Sequence, residues 1–144
     1  MDETAAGGIL PGLSIQAGRI FIQPDYLQFP GDLLHEAGHI AVVPASQRPS
    51  LNDEHLAGRT NREAEEMMAI AWSYAACLHL KLPPEFVFHP DGYKGGGDYL
   101  IDACSKGDYL GLPILQKLGM TFNEKQASLN NTMAFPHMVK WLRS

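Results

Sequence analysis

The sequence predicts an α+β fold in a single domain spanning residues 1–144, and three stretches carry that expectation. "LSIQAGRIFI" (Leu13–Ile22) alternates apolar and polar residues around Ala17-Gly18, as two short antiparallel strands would. "DLLHEAGHIA", following Pro30-Gly31, repeats its apolar residues at helical spacing. The third, about Asn61 to Leu80, opens with charges in "NREAEE" and then turns apolar on every side through "MMAIAWSYAACLHL", which is how a helix buried at the centre of a domain reads. A hairpin or small sheet followed by helices is an α+β arrangement.

In chain order, Gly18 can take the positive φ that a tight hairpin turn demands. Asp32 suits the cap of the first helix, whose stripe is Leu33, Leu34, Ala37, Ile40 and Ala41, and Pro44 stops it. The polar run Pro44–Thr60 reads as an exposed loop. Acidic residues in the first turn of the Asn61–Leu80 helix suit the positive end of its dipole. Pro83-Pro84 ends that helix, "EFVFH" (Glu85–His89) is expected as a short strand, and "HPDGYKGGG" (His89–Gly97) as a mobile, turn-rich loop. Short helices are expected at about Asp98–Cys104, Tyr109–Leu118 and Pro136–Leu142.

Composition narrows the function classes. At 45% apolar and 19% charged residues the chain is ordinary globular protein. A net charge of −5, with no clustered Lys and Arg, argues against nucleic acid as a partner. The opening "MDETAAGGIL" is acidic where a secretory signal is basic, and no apolar run reaches the roughly 18 residues that span a bilayer. The expectation is a cytoplasmic protein that does not enter membranes. Cys77 and Cys104, the two cysteines, lack metal-type spacing and read as reduced, buried thiols.

The chemistry is concentrated in "HEAGH", His35 to His39. With His35 at zero on a helix turning ~100° per residue, His39 falls at ~40° and Glu36 at ~100°, opposite the apolar stripe. Two imidazoles one turn apart can hold one Zn²⁺ at about 2.0 to 2.1 Å if a third ligand is supplied and a water position stays open. Zinc lowers the pKa of that water towards 7, and Glu36, which is not a ligand, can take its proton. Shuffling this chain's own residues would produce an HExxH about once in a hundred orders. Gly38, between the histidines, would let another backbone approach closely.

The motif on an amphipathic helix, followed some 25 residues later by a glutamate at the head of a second helix, resembles the zincin metallopeptidases, and within them the small single-domain gluzincins. The resemblance covers Leu13 to Leu80 and leaves residues 81–144 unmatched. The closely following Gly and third His of metzincins are absent, since "IAVVPASQ" stands there. The resemblance implies a zincin-like fold, one zinc ion, cleavage of a peptide or protein substrate, and a third ligand drawn from Glu63, Glu65 or Glu66. Glu66, the last carboxylate before the buried body of the helix, ranks first, then Glu65 and Glu63; His55 and His89 compete from loops. For a donor to the developing oxyanion, Tyr93 and His89 are the candidates in the glycine-rich region, with Tyr74 and His137 behind them. The same residues also fit a module that binds metal for structure or regulation without turnover.

Overall fold

The computed structural model describes residues 10–89 and 96–144. Strands β1 (Leu13–Gln16) and β2 (Arg19–Ile22) pair antiparallel with Gln16 opposite Arg19, forming a two-stranded sheet. Ala17 and Gly18 both take positive φ, 53° and 70°, the twist that a two-residue hairpin turn needs to match its strands. β1 is buried and β2 faces outward, so the sheet leans on the helices through Leu13 and Ile15.

Helix α1 (Asp32–Ala41) and helix α3 (Arg62–His79) are the two main elements, packed against each other. Between them run a 3₁₀ turn (Ala45–Ser50) and the short α2 (Asp53–Ala57). After α3 come a 3₁₀ turn (Pro84–Phe86), α4 (Gly97–Ser105), α5 (Leu112–Lys117) and α6 (Glu124–Leu129). The main core gathers on α3, where Met68, Trp72, Ala75 and Cys77 meet Val87, Phe88, Leu115 and Met120. A smaller core of Ile15, Val43, Leu51 and Leu56 joins hairpin to α2, with Ile20 and Ile40 packed against it.

Four expectations need correction. The Pro44–Thr60 run is not all loop: Leu51 and Leu56 are buried anchors, and Asn52 Oδ1 accepts the His55 N–H at 2.7 Å to cap α2. Glu85–His89 is not a strand: it opens with a 3₁₀ turn in which Val87 and Phe88 donate their N–H groups to the Pro84 carbonyl, and both side chains are buried in the core. Pro136–Leu142 is not a helix: Val139 and Lys140 donate to the Met120 carbonyl, and the Trp141 carbonyl accepts from Trp72 Nε1 at 2.8 Å, so the tail is a strap across α3. Asp32 does not cap α1 but begins it, and its carboxylate accepts instead from His89. α6, held by an Asn123 cap, had not been expected from the sequence.

Both cysteines are free and buried. No helix among the described residues is long and apolar enough to cross a membrane.

Candidate metal centre

α1 presents His35 and His39 on one face, and α3 brings Glu66 against them. His39 Nε2 lies 3.1 Å from His35 Nε2 and 2.7 Å from Glu66 Oε2, and His35 Nε2 lies 3.5 Å from Glu66 Oε1. The two rings meet edge to face, centroids 4.6 Å apart. Among the described residues these are the one group of three or more His, Cys, Asp or Glu whose donor atoms all lie within 4.8 Å of one another.

That donor set fits a metal ion. Ligands at 2.0 to 2.1 Å around a tetrahedral Zn²⁺ stand about 3.3 Å from each other; the two imidazole nitrogens are 3.1 Å apart, and the Glu66 carboxylate reaches them with different oxygens, Oε2 at 2.7 Å from His39 and Oε1 at 3.5 Å from His35. Two imidazole nitrogens and one carboxylate oxygen are also ligand types that zinc accepts.

The electrostatics of the protein without a metal follow from burial and from this proximity. Burial, then the neighbouring His39, pushes His35 down to about 4, so it is neutral at pH 7. Burial also works against charge on His39, but the hydrogen bond and charge of Glu66 overcome it and raise His39. Glu66 shows the complementary balance: burial disfavours its charge, and its bond to His39 with the fields of both histidines lowers it nonetheless. Glu36 is nearly buried and is pushed up to about 7, chiefly by burial. No hydrogen bond reaches its carboxylate from the described residues, and it lines the same cleft as the three donors. A carboxylate poised near neutrality beside a ligand set is suited to accept and return a proton.

The cleft is open, has a volume of about 1360 Å³, and is bordered by Leu10, Leu56, Ile70, Leu100 and Tyr99 as well as by the α2–α3 connection. That exceeds the ~300–1,000 Å³ of pockets for small molecules.

Of the other expected residues, Glu65 is buried and spoken for. Arg59 holds it from two nitrogens, Nε at 2.6 Å and Nη2 at 2.8 Å, and this pair sits at the rim of the cleft. Glu63 lines the cleft on an exposed turn and stands apart from the donor group. His55 donates from Nδ1 to the Ser50 carbonyl at 2.8 Å and also lies outside the group. His89 is buried, stacked on Phe29 with ring centroids 3.9 Å apart, and bonded through Nε2 to Asp32 Oδ1 at 2.6 Å, while its Nδ1 has no partner among the described residues. Tyr74 packs among Phe88, Tyr109 and Phe135 in the core, and His137 lies on a separate surface groove. Tyr93 lies outside the described residues.

Three contributors have no signal in the sequence. Arg59 is one. The Asp32–His89 pair joins residues 57 positions apart. The third is an arginine lock on the last turn of α1: Arg48 Nε donates to the Ile40 carbonyl at 3.2 Å, the Arg143 backbone N–H to Ala41 at 2.9 Å, and Arg143 Nη1 to Val42 at 3.2 Å. Arg48 Nη2 also donates to the Arg143 carbonyl. Positive side chains there complement the negative end of the helix dipole as well as its orphan carbonyls.

The site thus has the make-up of a candidate mononuclear metal centre with an adjacent buried carboxylate. No protein-family profile, curated protein or solved structure matches the chain, so the site is read on its own geometry.

Proposed function

We propose that the protein is a zinc-dependent metallohydrolase of the zincin type, a peptidase, with His35, His39 and Glu66 as metal ligands and Glu36 as general base. The observation that carries this reading is the convergence of three donor atoms from α1 and α3 beside a nearly buried carboxylate that faces the same open cleft. A bound Zn²⁺ would supply Lewis acidity toward a water molecule and a substrate carbonyl oxygen. His35, neutral at pH 7, has a lone pair to offer. Glu66, ionised beside His39, brings one negative charge to the ligand set. Glu36 takes a proton from the attacking water at its carboxylate oxygen and returns it to the leaving nitrogen.

The hairpin supports a peptide as the substrate. In the observed register Arg19 and Phe21 turn their backbone groups toward β1, which directs those of Ile20 and Ile22 to the free edge. Leu10, which precedes the hairpin and is bridged to Leu13 of β1, lines the cleft, so the chain leading into β1 borders the site. An extended chain can add to such an edge by backbone hydrogen bonding.

The test is metal analysis of the purified chain together with cleavage of a peptide library. One equivalent of Zn²⁺ is expected, with hydrolysis that Glu36→Gln abolishes while metal content stays unchanged. Zinc binding with no cleavage by the wild-type chain would leave the non-catalytic metal-binding module as the correct reading. A chain that takes up no divalent metal would overturn both.

A further inference from the structure

The helices that bear the donors approach closely at Gly38, which lies between the two histidines. A Cβ built there would stand 3.1 Å from the Ala69 carbonyl oxygen, 3.3 Å from Ala69 Cα and 3.3 Å from Ser73 Oγ. Comfortable carbon contacts run to about 3.5–4.0 Å. None of the three neighbours can step aside easily. Two are backbone atoms of α3, and Ser73 is wholly buried with its hydroxyl donated to the Ala69 carbonyl at 2.6 Å and lying 3.4 Å from the Leu34 carbonyl of α1. Relief must come from moving α1 away from α3 by a few tenths of an ångström.

We propose that Gly38 is a positioning residue for the donor triad, whose bare Cα lets α1 sit near enough to α3 for His35 and His39 to face Glu66. The inference rests on reading the triad as a metal site. His39 directly follows Gly38, and Glu66 lies three residues before Ala69, so both are within one turn of the crossing. Separation there is passed to the donors by two stiff helices. A metal site tolerates errors of about 0.2 Å in its ligand distances, less than the displacement a methyl group requires.

Folding stability answers to a different balance. An alanine in place of a helix-interior glycine favours the folded state by roughly two- to five-fold, which opposes the crowding. Metal affinity and metal-free stability should therefore separate, whereas a glycine that served packing alone would move them together.

The experiment uses the full chain. Zn²⁺ affinity is measured by competition with a chromophoric chelator, the ligand field by the visible absorption of the Co²⁺ form, and metal-free stability by urea unfolding. Gly38→Ala is expected to weaken Zn²⁺ binding by about 10- to 100-fold, the range seen when outer-sphere support of a metal site is lost. It should also alter the Co²⁺ band shape and leave the metal-free urea midpoint nearly unchanged. Adding Ser73→Ala removes one crowding atom and should restore part of the affinity. Wild-type affinity with a wild-type Co²⁺ spectrum in Gly38→Ala overturns the inference, as does an affinity loss matched by an equal loss of metal-free stability. If Gly38→Ala does not fold, the double variant Gly38→Ala/Ser73→Ala, in which the Ala69 backbone contacts remain, takes its place, and wild-type affinity with a wild-type Co²⁺ spectrum there overturns the inference too. A wild-type chain that binds no Zn²⁺ overturns the metal-centre reading itself, a result distinct from wild-type binding that the substitutions do not disturb.

Discussion

Removing Arg59 tests how the rim of the cleft is built. Glu65 is 3% exposed and its carboxylate is held by two charge-assisted bonds of 2.6 and 2.8 Å from Arg59. Arg59→Met leaves that carboxylate buried and unpaired, a state that costs about 3 to 5 kcal/mol. A loss of about 3 to 5 kcal/mol is therefore expected at pH 7. Glu65→Gln should cost less, about 1 to 2 kcal/mol, because the Arg59 side chain is 19% exposed and can turn to water. The double variant Arg59→Met/Glu65→Gln should be more stable than Arg59→Met alone, because no buried charge remains. Urea unfolding of the four proteins at pH 7, in a chelator, supplies the full cycle. A loss under 1 kcal/mol at pH 7 would refute the argument that Arg59 neutralises a buried charge. Glu65→Gln should leave zinc affinity untouched, since that carboxylate is committed to Arg59.

Two further outcomes follow from the burial of titratable groups. His35 is depressed to about 4, so its contribution to metal-free stability is present above its unfolded value of 6.5 and lost as pH falls towards 4; Glu36, raised from 4.5 to about 7, contributes stability at low pH that is lost as pH climbs towards 7. Between pH 4.5 and 6.5 the two slopes oppose each other. Metal-free Glu36→Gln should therefore lose stability on acidification more steeply than wild type by about 1.4 kcal/mol per pH unit, one proton's worth, and equal slopes in urea titrations would disprove it. The thiols of Cys77 and Cys104 are pushed up to about 11, chiefly by burial. Neither should react with a thiol reagent at pH 8 in the folded chain, and both should react at once in urea; rapid labelling of the native protein would contradict the packing described.

Much of the framework was legible because it is local. The alternation in Leu13–Ile22, the apolar stripe of α1 and the continuous apolar body of α3 each announce their element within a few turns of chain, and each is present in the structure. The tail was misread for the opposite reason. Residues 136–142 carry apolar residues that suit a helix, but their backbone groups find partners at Met120 and Trp72, which no window around them contains. In the same way "EFVFH" has the composition of a strand and, among the described residues, no neighbour to pair with.

By itself, the sequence determined that His35, Glu36 and His39 share one face of a helix, because the 100° turn of the α-helix fixes their bearings whatever the rest of the chain does. The zincin resemblance offered Glu63, Glu65 and Glu66 at the head of α3 as a third donor, with His55 and His89 competing from loops. Only the tertiary structure shows which of them stands beside the two histidines. Glu65 and Glu66 differ by one residue, and so by a rotation of ~100°; that rotation turns one into the grip of Arg59 and the other onto His39. What α1 and α3 face, and how closely they cross at Gly38, depends on packing between segments some 30 residues apart. Distances of that kind arise from the closure of the whole chain and leave no periodicity behind.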